Sequence, residues 1–488
     1  MRRIYCCCLV VLFAMVVIVF RTSGTVCAAE NVSKPKNIIL MIGDGMGFNH
    51  YVAGAYWRYG EMGQQSPDHF PVRIAMTTAR LQSGQTFANN MPCYDPEKFW
   101  AGPKAANEKV GLTEVTDSAA AATAMYGGKK TSSGRMGMTT DKKPIKMAAE
   151  IAHEKGKATG AVSTMFSCHA TPGAVWVANS SRDRYEEIFN FMVRESGLDV
   201  VMGAGHPNYD NSAKLVKEDK VEYNLVGGED TWKQIVKDGG INGFELVETR
   251  QQFEQLAKST DGLPKKVLGV AHARTMISAI DGAPSTCPAS PEVAEKAIGH
   301  LNSKEIPTLS TMSVGALNVL SQNENGFFVM IEGGDIDGVS HRNKTESLMY
   351  EQTAFAKAID AVVDWVEENS SWDETLLIIT ADHETGCVWG GIDYVDTDGD
   401  GKFDAGKDEF KAYQPVEAGD CGNLPKMAFF SGGHTNSLVP LWAKGAGAEG
   451  IKKYYYGKDE KAAKMWDFSG DYIDNTHLGQ FMIEMLGN

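Results

Sequence analysis

Five short stretches of the chain are apolar without alternation: residues 37–42 in KNIILMIGDGMG, and runs within TGAVST, LDVVMGAG, GFFVMIEGGDID and TLLIITADHE. A strand exposed on one face alternates apolar with polar positions, so these runs read as strands buried on both faces of a sheet. Between them lie helix-period patterns such as SRDRYEEIFNFMVRES and TESLMYEQTAFAKAIDAVVDWVEEN, the second preceded by Lys344. Strands alternating with helices predict an α/β fold: a three-layer sandwich whose central, mostly parallel sheet is flanked by helices. Residues 56–112 and 206–300 lack sustained periodicity, and with 393–420 they read as insertions on a single domain spanning 30–488.

Polar residues gather where the strand patterns end. Asp44 follows the first run, Glu332 and Asp337 follow GFFVMI, and Asp382 with His383 follows LLIIT. Open α/β sheets bind ligands beyond the carboxyl ends of their strands, so acids far apart in sequence can converge there. A further stretch, TEVTDSAAAATAMYGG at 113–128, predicts an Ala-rich helix over 119–126 that stops at Gly127. Asp117 and Ser118 at its head fit two roles. Either caps the free helix amides, or Ser118 is a nucleophile at the positive end of the helix dipole, which requires an activating group from elsewhere.

The first residues run from a basic start through an apolar segment at 4–20 to small residues at Ala28 and Ala29. This is the order of a secretory leader over 1–29, placing the mature chain in the periplasm or outside the cell; retention would leave it membrane-anchored. The chain has 47 basic and 62 acidic residues, a net charge of −15, and loss of Arg2, Arg3 and Arg21 with the leader makes it more acidic. Such a surface repels nucleic acid and anionic lipid, and a phosphate-bearing substrate needs a local positive focus. Of nine cysteines, Cys6, Cys7, Cys8 and Cys27 belong to the leader, leaving Cys93, Cys168, Cys287, Cys387 and Cys421. Cys387 with Cys421 is the first expected disulfide, since the pair brackets an acidic insertion.

Three Asp and three His now stand out: Asp44, Asp337 and His341 in DIDGVSH, Asp382 and His383 in TADHE, and His434 in SGGHTN. Singly, each fits a turn or a cap. Together, imidazole and carboxylate suit zinc, and two such ions about 4 Å apart clamp an in-line displacement at phosphorus. That set supplies the activator Ser118 lacks.

In IGDGMG, VTDSAAAATA, HATPGAVWVANSSR, IEGGDIDGVSH, TADHE and GGHTN the chain resembles alkaline phosphatase, with the motifs in the family's order over nearly the whole mature length. The resemblance implies a phosphomonoesterase in which Ser118 is phosphorylated. Asp44, Asp382 and His383 would hold one zinc, and Asp337, His341 and His434 the other. Arg182 would grip phosphate as a planar fork, with Asp117 beside it, and Asp44, Thr171 and Glu332 would form a magnesium site next to His169. It also implies a homodimer acting on small phosphate monoesters. His169 stands where some members have Asp, and it puts the third metal in doubt. Gly338 stands where many carry Lys or His, which predicts loosely held phosphate.

VDTDGDGKFDAGKDEF is similar to an EF-hand loop, with Asp396, Asp398, Asp400 and Asp404 as candidate ligands of a structural Ca²⁺. Lys407 occupies the position of the closing acid. Other readings on the same scaffold are a phosphodiesterase, a phosphonate hydrolase or a sulfatase. The alanines after Ser118 depart from a sulfatase context, and Arg182 favours a monoester. A secreted calcium-dependent binding protein without turnover is the reading from another class; the presence of Ser118, all six zinc-type ligands and Arg182 opposes it.

Overall fold

The computed structural model describes residues 34–89, 91–277, 305–420 and 422–487. The leader and Cys287 therefore lie outside the described residues. Among the described residues twelve strands form the main sheet: β1 (Asn37–Gly43), β2 (Val72–Thr77), β3 (Ala158–Phe166), β4 (Val200–Ala204), β5 (Gly240–Ile241), β6 (Phe244–Val247), β7 (Val267–Val270), β8 (Phe327–Gly333), β9 (Thr375–Thr380), β10 (Val439–Gly445), β11 (Gly457–Lys458) and β12 (Asp471–Asp474). Their spatial order is β11-β12-β2-β10-β9-β1-β8-β3-β4-β7-β6-β5. The five predicted runs supply its centre, β9-β1-β8-β3-β4, and all those pairings are parallel. β10 runs antiparallel to both its neighbours.

Ile38, Ile39, Leu40, Met41 and Ile42 of β1 are fully buried, which accounts for their lack of alternation. Two sets of helices flank the sheet. One contains α1 (Phe48–Tyr59) and α4 (Thr345–Asn369); the other contains α2 (Ser118–Gly127) and α5 (Asn475–Met485), which pack together. A short helix, α3 (Asp335–His341), follows β8.

The stretches read as insertions contribute more than surface. β2 comes from 56–112, and β5, β6 and β7 from 206–300, so both stretches extend the main sheet. These strands have six residues or fewer, too short to show a period against their helical and turn surroundings. Residues 393–420 do lie off the main sheet, where Gly391–Val395 pairs with Glu409–Gln414. The expected Cys387–Cys421 disulfide rests on Cys421, which lies outside the described residues; Cys387 is buried.

One buried ion pair ties α2 to α5. Lys130, just past α2, lies 2.8 Å from Asp474, the N-cap of α5, with side chains 1% and 5% exposed. Asp474 also accepts from Thr77 at 2.7 Å and Cys93 at 2.9 Å. Burial opposes its ionisation, but the Lys130 ammonium together with hydrogen bonds from Lys130, Cys93 and Thr476 overcomes burial and holds the carboxyl at about 2. Because the folded value lies below the ordinary 3.8, this stabilisation is complete above that pH and is lost as pH falls towards about 2. Asp474→Asn should cost about 3–5 kcal/mol at pH 7 by leaving Lys130 buried without its counter-charge, with the deficit shrinking in acid. Urea unfolding of both proteins at pH 7 and pH 3 measures it.

Candidate active site

Strand register brings the acids together. Ile42 pairs with Glu332 on one side and Thr380 on the other, so Asp44, Glu332 and Asp382 emerge side by side at the carboxyl ends of β1, β8 and β9. All three are buried. Asp382 Oδ1 accepts from the amides of Gly45 at 3.0 Å and His383 at 2.9 Å, Asp44 Oδ2 accepts from Thr171 at 3.5 Å, and Glu332 Oε2 accepts from Ser163. The second oxygen of each, Asp44 Oδ1, Glu332 Oε1 and Asp382 Oδ2, has no hydrogen-bond partner. Burial, reinforced by Asp382, pushes the Asp44 carboxyl well up; burial likewise raises Asp382 to about 6 and Glu332 to about 7. Unpartnered carboxylate oxygens packed against one another are costly without a cation among them.

Two histidines turn matching ring nitrogens towards one carboxylate. His341 Nδ1 is 2.8 Å from the Gly432 carbonyl and His434 Nδ1 is 2.8 Å from the Thr116 carbonyl. A carbonyl only accepts, so both Nδ1 atoms carry hydrogen and both Nε2 atoms are the free positions. Those two Nε2 atoms are 3.1 Å apart and lie 3.3 and 3.4 Å from Asp337 Oδ1. The contact with Asp337 raises His341 to about 9, while hydrogen bonds from His341 and His434 override burial to keep Asp337 well below the usual carboxylate range.

Ser118 opens α2 and is 2% exposed. Asp117 caps the helix through Oδ1, which accepts from Ala120 N at 3.4 Å. Its Oδ2 accepts from Gly134 N at 2.9 Å and from Arg182 Nη1 at 3.4 Å, so one carboxylate is both cap and partner of Arg182. Arg182 Nη2 donates to His169 Nε2 at 2.9 Å; burial, with the guanidinium, lowers His169 to about 3 and keeps it a neutral acceptor. The fork is therefore gripped from both sides. The helix stop differs by one residue from expectation. Gly128 takes the left-handed turn at φ 66°, whereas Gly127 is needed for packing, since a Cβ there would sit 2.5 Å from Ile145.

Ser118 Oγ lies 3.2 Å from His383 Nε2, which is also 3.2 Å from Asp382 Oδ2 and 3.5 Å from Asp44 Oδ1. Ligand atoms of Asp337, His341 and His434, of Asp44, Asp337 and His383, and of Asp44, His169 and Glu332 each gather within 4.8 Å. The orphaned oxygens and the converging Nε2 atoms fit divalent cations: nitrogen-rich donors suit zinc, and the oxygens of Asp44, Thr171 and Glu332 suit magnesium.

A family profile described as alkaline phosphatase matches residues 35–487. The chain belongs to the alkaline phosphatase family. It is 31% identical to alkaline phosphatase 3 of Bacillus subtilis over 74% of its own length and 64% of that protein's. Identity to alkaline phosphatase 4 of the same organism is 29%, over 72% of this chain and 62% of that one. The chain thus spans less than two thirds of these relatives. In fold it is similar to the cold-active alkaline phosphatase of a psychrophilic Shewanella, with a TM-score of 0.60 at 22% identity, covering 93% of this chain and 100% of that one.

Two contacts in this alkaline phosphatase family site are not legible in the sequence. Ser163 holds Glu332 because β3 places it directly opposite, and Thr385 lies beside both Asp337 and His383. Pairing partners 169 and 48 residues apart leave no local signal.

Two other clusters carry their charge differently. In the 396–408 loop, acids of Asp396, Asp398 and Asp408 gather, while Asp400 and Asp404 turn to the local amides of Lys402 and Gly406. Lys407 lies 3.1 Å from Asp398 and 3.3 Å from Asp404. The group His206, Glu248 and His272 differs from the main site in tautomer. His206 Nδ1 accepts from Asn208 N at 3.2 Å, which leaves Nε2–H to donate to Glu248 at 2.9 Å, and both ring nitrogens are satisfied.

Proposed function

We propose that this protein hydrolyses phosphate monoesters to an alcohol and inorganic phosphate through a phosphoserine at Ser118. The observation that carries the reading is a buried serine hydroxyl 3.2 Å from a bare imidazole nitrogen, beside orphaned carboxylates and a guanidinium held on two sides. Asp44, Asp382 and His383 would hold one zinc, Asp337, His341 and His434 a second, and Asp44, Thr171 and Glu332 a magnesium with His169 beside it. Bound there, the ions supply positive charge at the attacking and leaving oxygens.

The chain's own groups do the rest. Ser118 Oγ attacks phosphorus, the ester P–O bond breaks, and the alcohol departs; water then cleaves the Oγ–P bond and restores the hydroxyl. Arg182 offers two parallel N–H donors to two non-bridging oxygens, a fit Lys lacks, and Asp117 with His169 keep the fork aimed. Local cations of this kind answer the repulsion between a phosphate dianion and an acidic chain. The leader pattern supports export, and family membership supports a homodimer.

Purified protein supplied with zinc and magnesium is expected to turn over an aryl phosphate faster than the matching diester or sulfate. Preference for either of the latter overturns the substrate class. The same assay reads product release. A Cβ on Gly338 would lie 2.3 Å from Asp335 Oδ1, so no side chain stands there to support phosphate, and inhibition by phosphate should be weak. A submicromolar inhibition constant would count against that.

A further inference from the structure

The hydroxyl of Thr385 sits between the two zinc-type ligand groups. Its Oγ1 is 2.6 Å from Asp337 Oδ1 and 3.2 Å from His383 Nδ1. A carboxylate only accepts, so the single hydroxyl proton goes to Asp337, and the imidazole must donate its own Nδ1–H to the hydroxyl oxygen. That contact leaves His383 Nε2 without hydrogen, facing Ser118 Oγ and Asp382 Oδ2, both at 3.2 Å. Without the hydroxyl, the other tautomer becomes accessible and would point an N–H where a cation must sit.

The surrounding backbone pins Thr385 in place. Its amide donates to Gly45 O at 3.1 Å, and it pairs in a two-stranded ladder with His434, a member of the group that contains Asp337. Gly45, at φ +74°, leaves the room: a Cβ there would lie 2.9 Å from Thr385 Oγ1 and 2.8 Å from Asp337 Cα. One glycine, one hydroxyl and one short ladder thus join the two groups.

We propose that Thr385 is a positioning residue that couples the two groups, orienting Asp337 in one and setting the tautomer of His383 in the other. The proposal rests on the zinc reading above. Its test is a zinc titration of metal-stripped protein against a chromophoric chelator, with kcat and KM for an aryl phosphate measured alongside. Thr385→Val and Thr385→Ala should each weaken zinc at both binding steps by about 10- to 100-fold and lower kcat, and Thr385→Ser should restore both. Melting of the metal-free variants should stay close to that of the parent.

Parent-like zinc affinity in the Val and Ala variants overturns the proposal. So does a Ser variant as weak as Val, or a loss confined to the melting temperature of the metal-free protein. If the Val variant does not fold, the Ala and Ser pair decides. Failure of the parent protein to bind zinc or to cleave the monoester overturns the functional reading instead, which keeps the two outcomes apart.

Discussion

Ser118→Ala will lower kcat for an aryl phosphate by about 10³- to 10⁵-fold, or about 4–7 kcal/mol of transition-state stabilisation at 1.36 kcal/mol per decade. The loss is that of the nucleophile and not of the helix. Asp117, not Ser118, accepts the helix amide of Ala120, and a further Ala simply extends a buried run of alanines. KM should change far less than kcat, because Arg182 keeps both of its anchors, Asp117 and His169. Acid-quenched turnover of labelled substrate should trap phosphate on the parent protein and none on the variant. Equal rates for the two proteins would remove Ser118 from the mechanism.

Asp44→Asn is expected to have a comparably large effect for a different reason. Asp44 belongs to two of the candidate groups, one with Asp337 and His383 and one with His169 and Glu332, so a single lost charge weakens both. Zinc affinity should fall by about 100- to 1,000-fold, removing about 3–4 kcal/mol of zinc-induced stabilisation at saturating metal, and turnover should fall by at least about 10³. The metal-free variant should melt no lower than the parent. Burial and the neighbouring Asp382 already disfavour a charge on Asp44, so a neutral amide of the same shape relieves repulsion. Bound metal measured by elemental analysis, with melting curves run with and without zinc, separates lost binding from lost folding. Parent-like zinc content in the variant would show that Asp44 is no ligand.

Much of the site was visible before the fold. Asp44, Asp382 and His383 lie at the ends of apolar runs, and strand ends in such sheets are where ligands bind. Helix boundaries were also near at hand: 345–369 appears as one helix with the predicted limits. Short sheet members were not. β5 has two residues and β7 four, and such elements exist because neighbouring strands pair with them, not because of any pattern of their own.

The chain by itself placed the candidate residues Asp44, Asp382 and His383 at strand ends, because burial on both faces forces continuous apolar runs and leaves polar side chains where strands stop. Tertiary structure alone decided the states of those residues. That Asp117 serves α2 and Arg182 at once, that His169 accepts from Arg182, and that His383 is held by Thr385 all follow from contacts across 65, 13 and 2 residues in which donor and acceptor must match. Hydrogen-bond direction depends on the partner's atoms in space, and the packing of strands, helices and loops puts those atoms there.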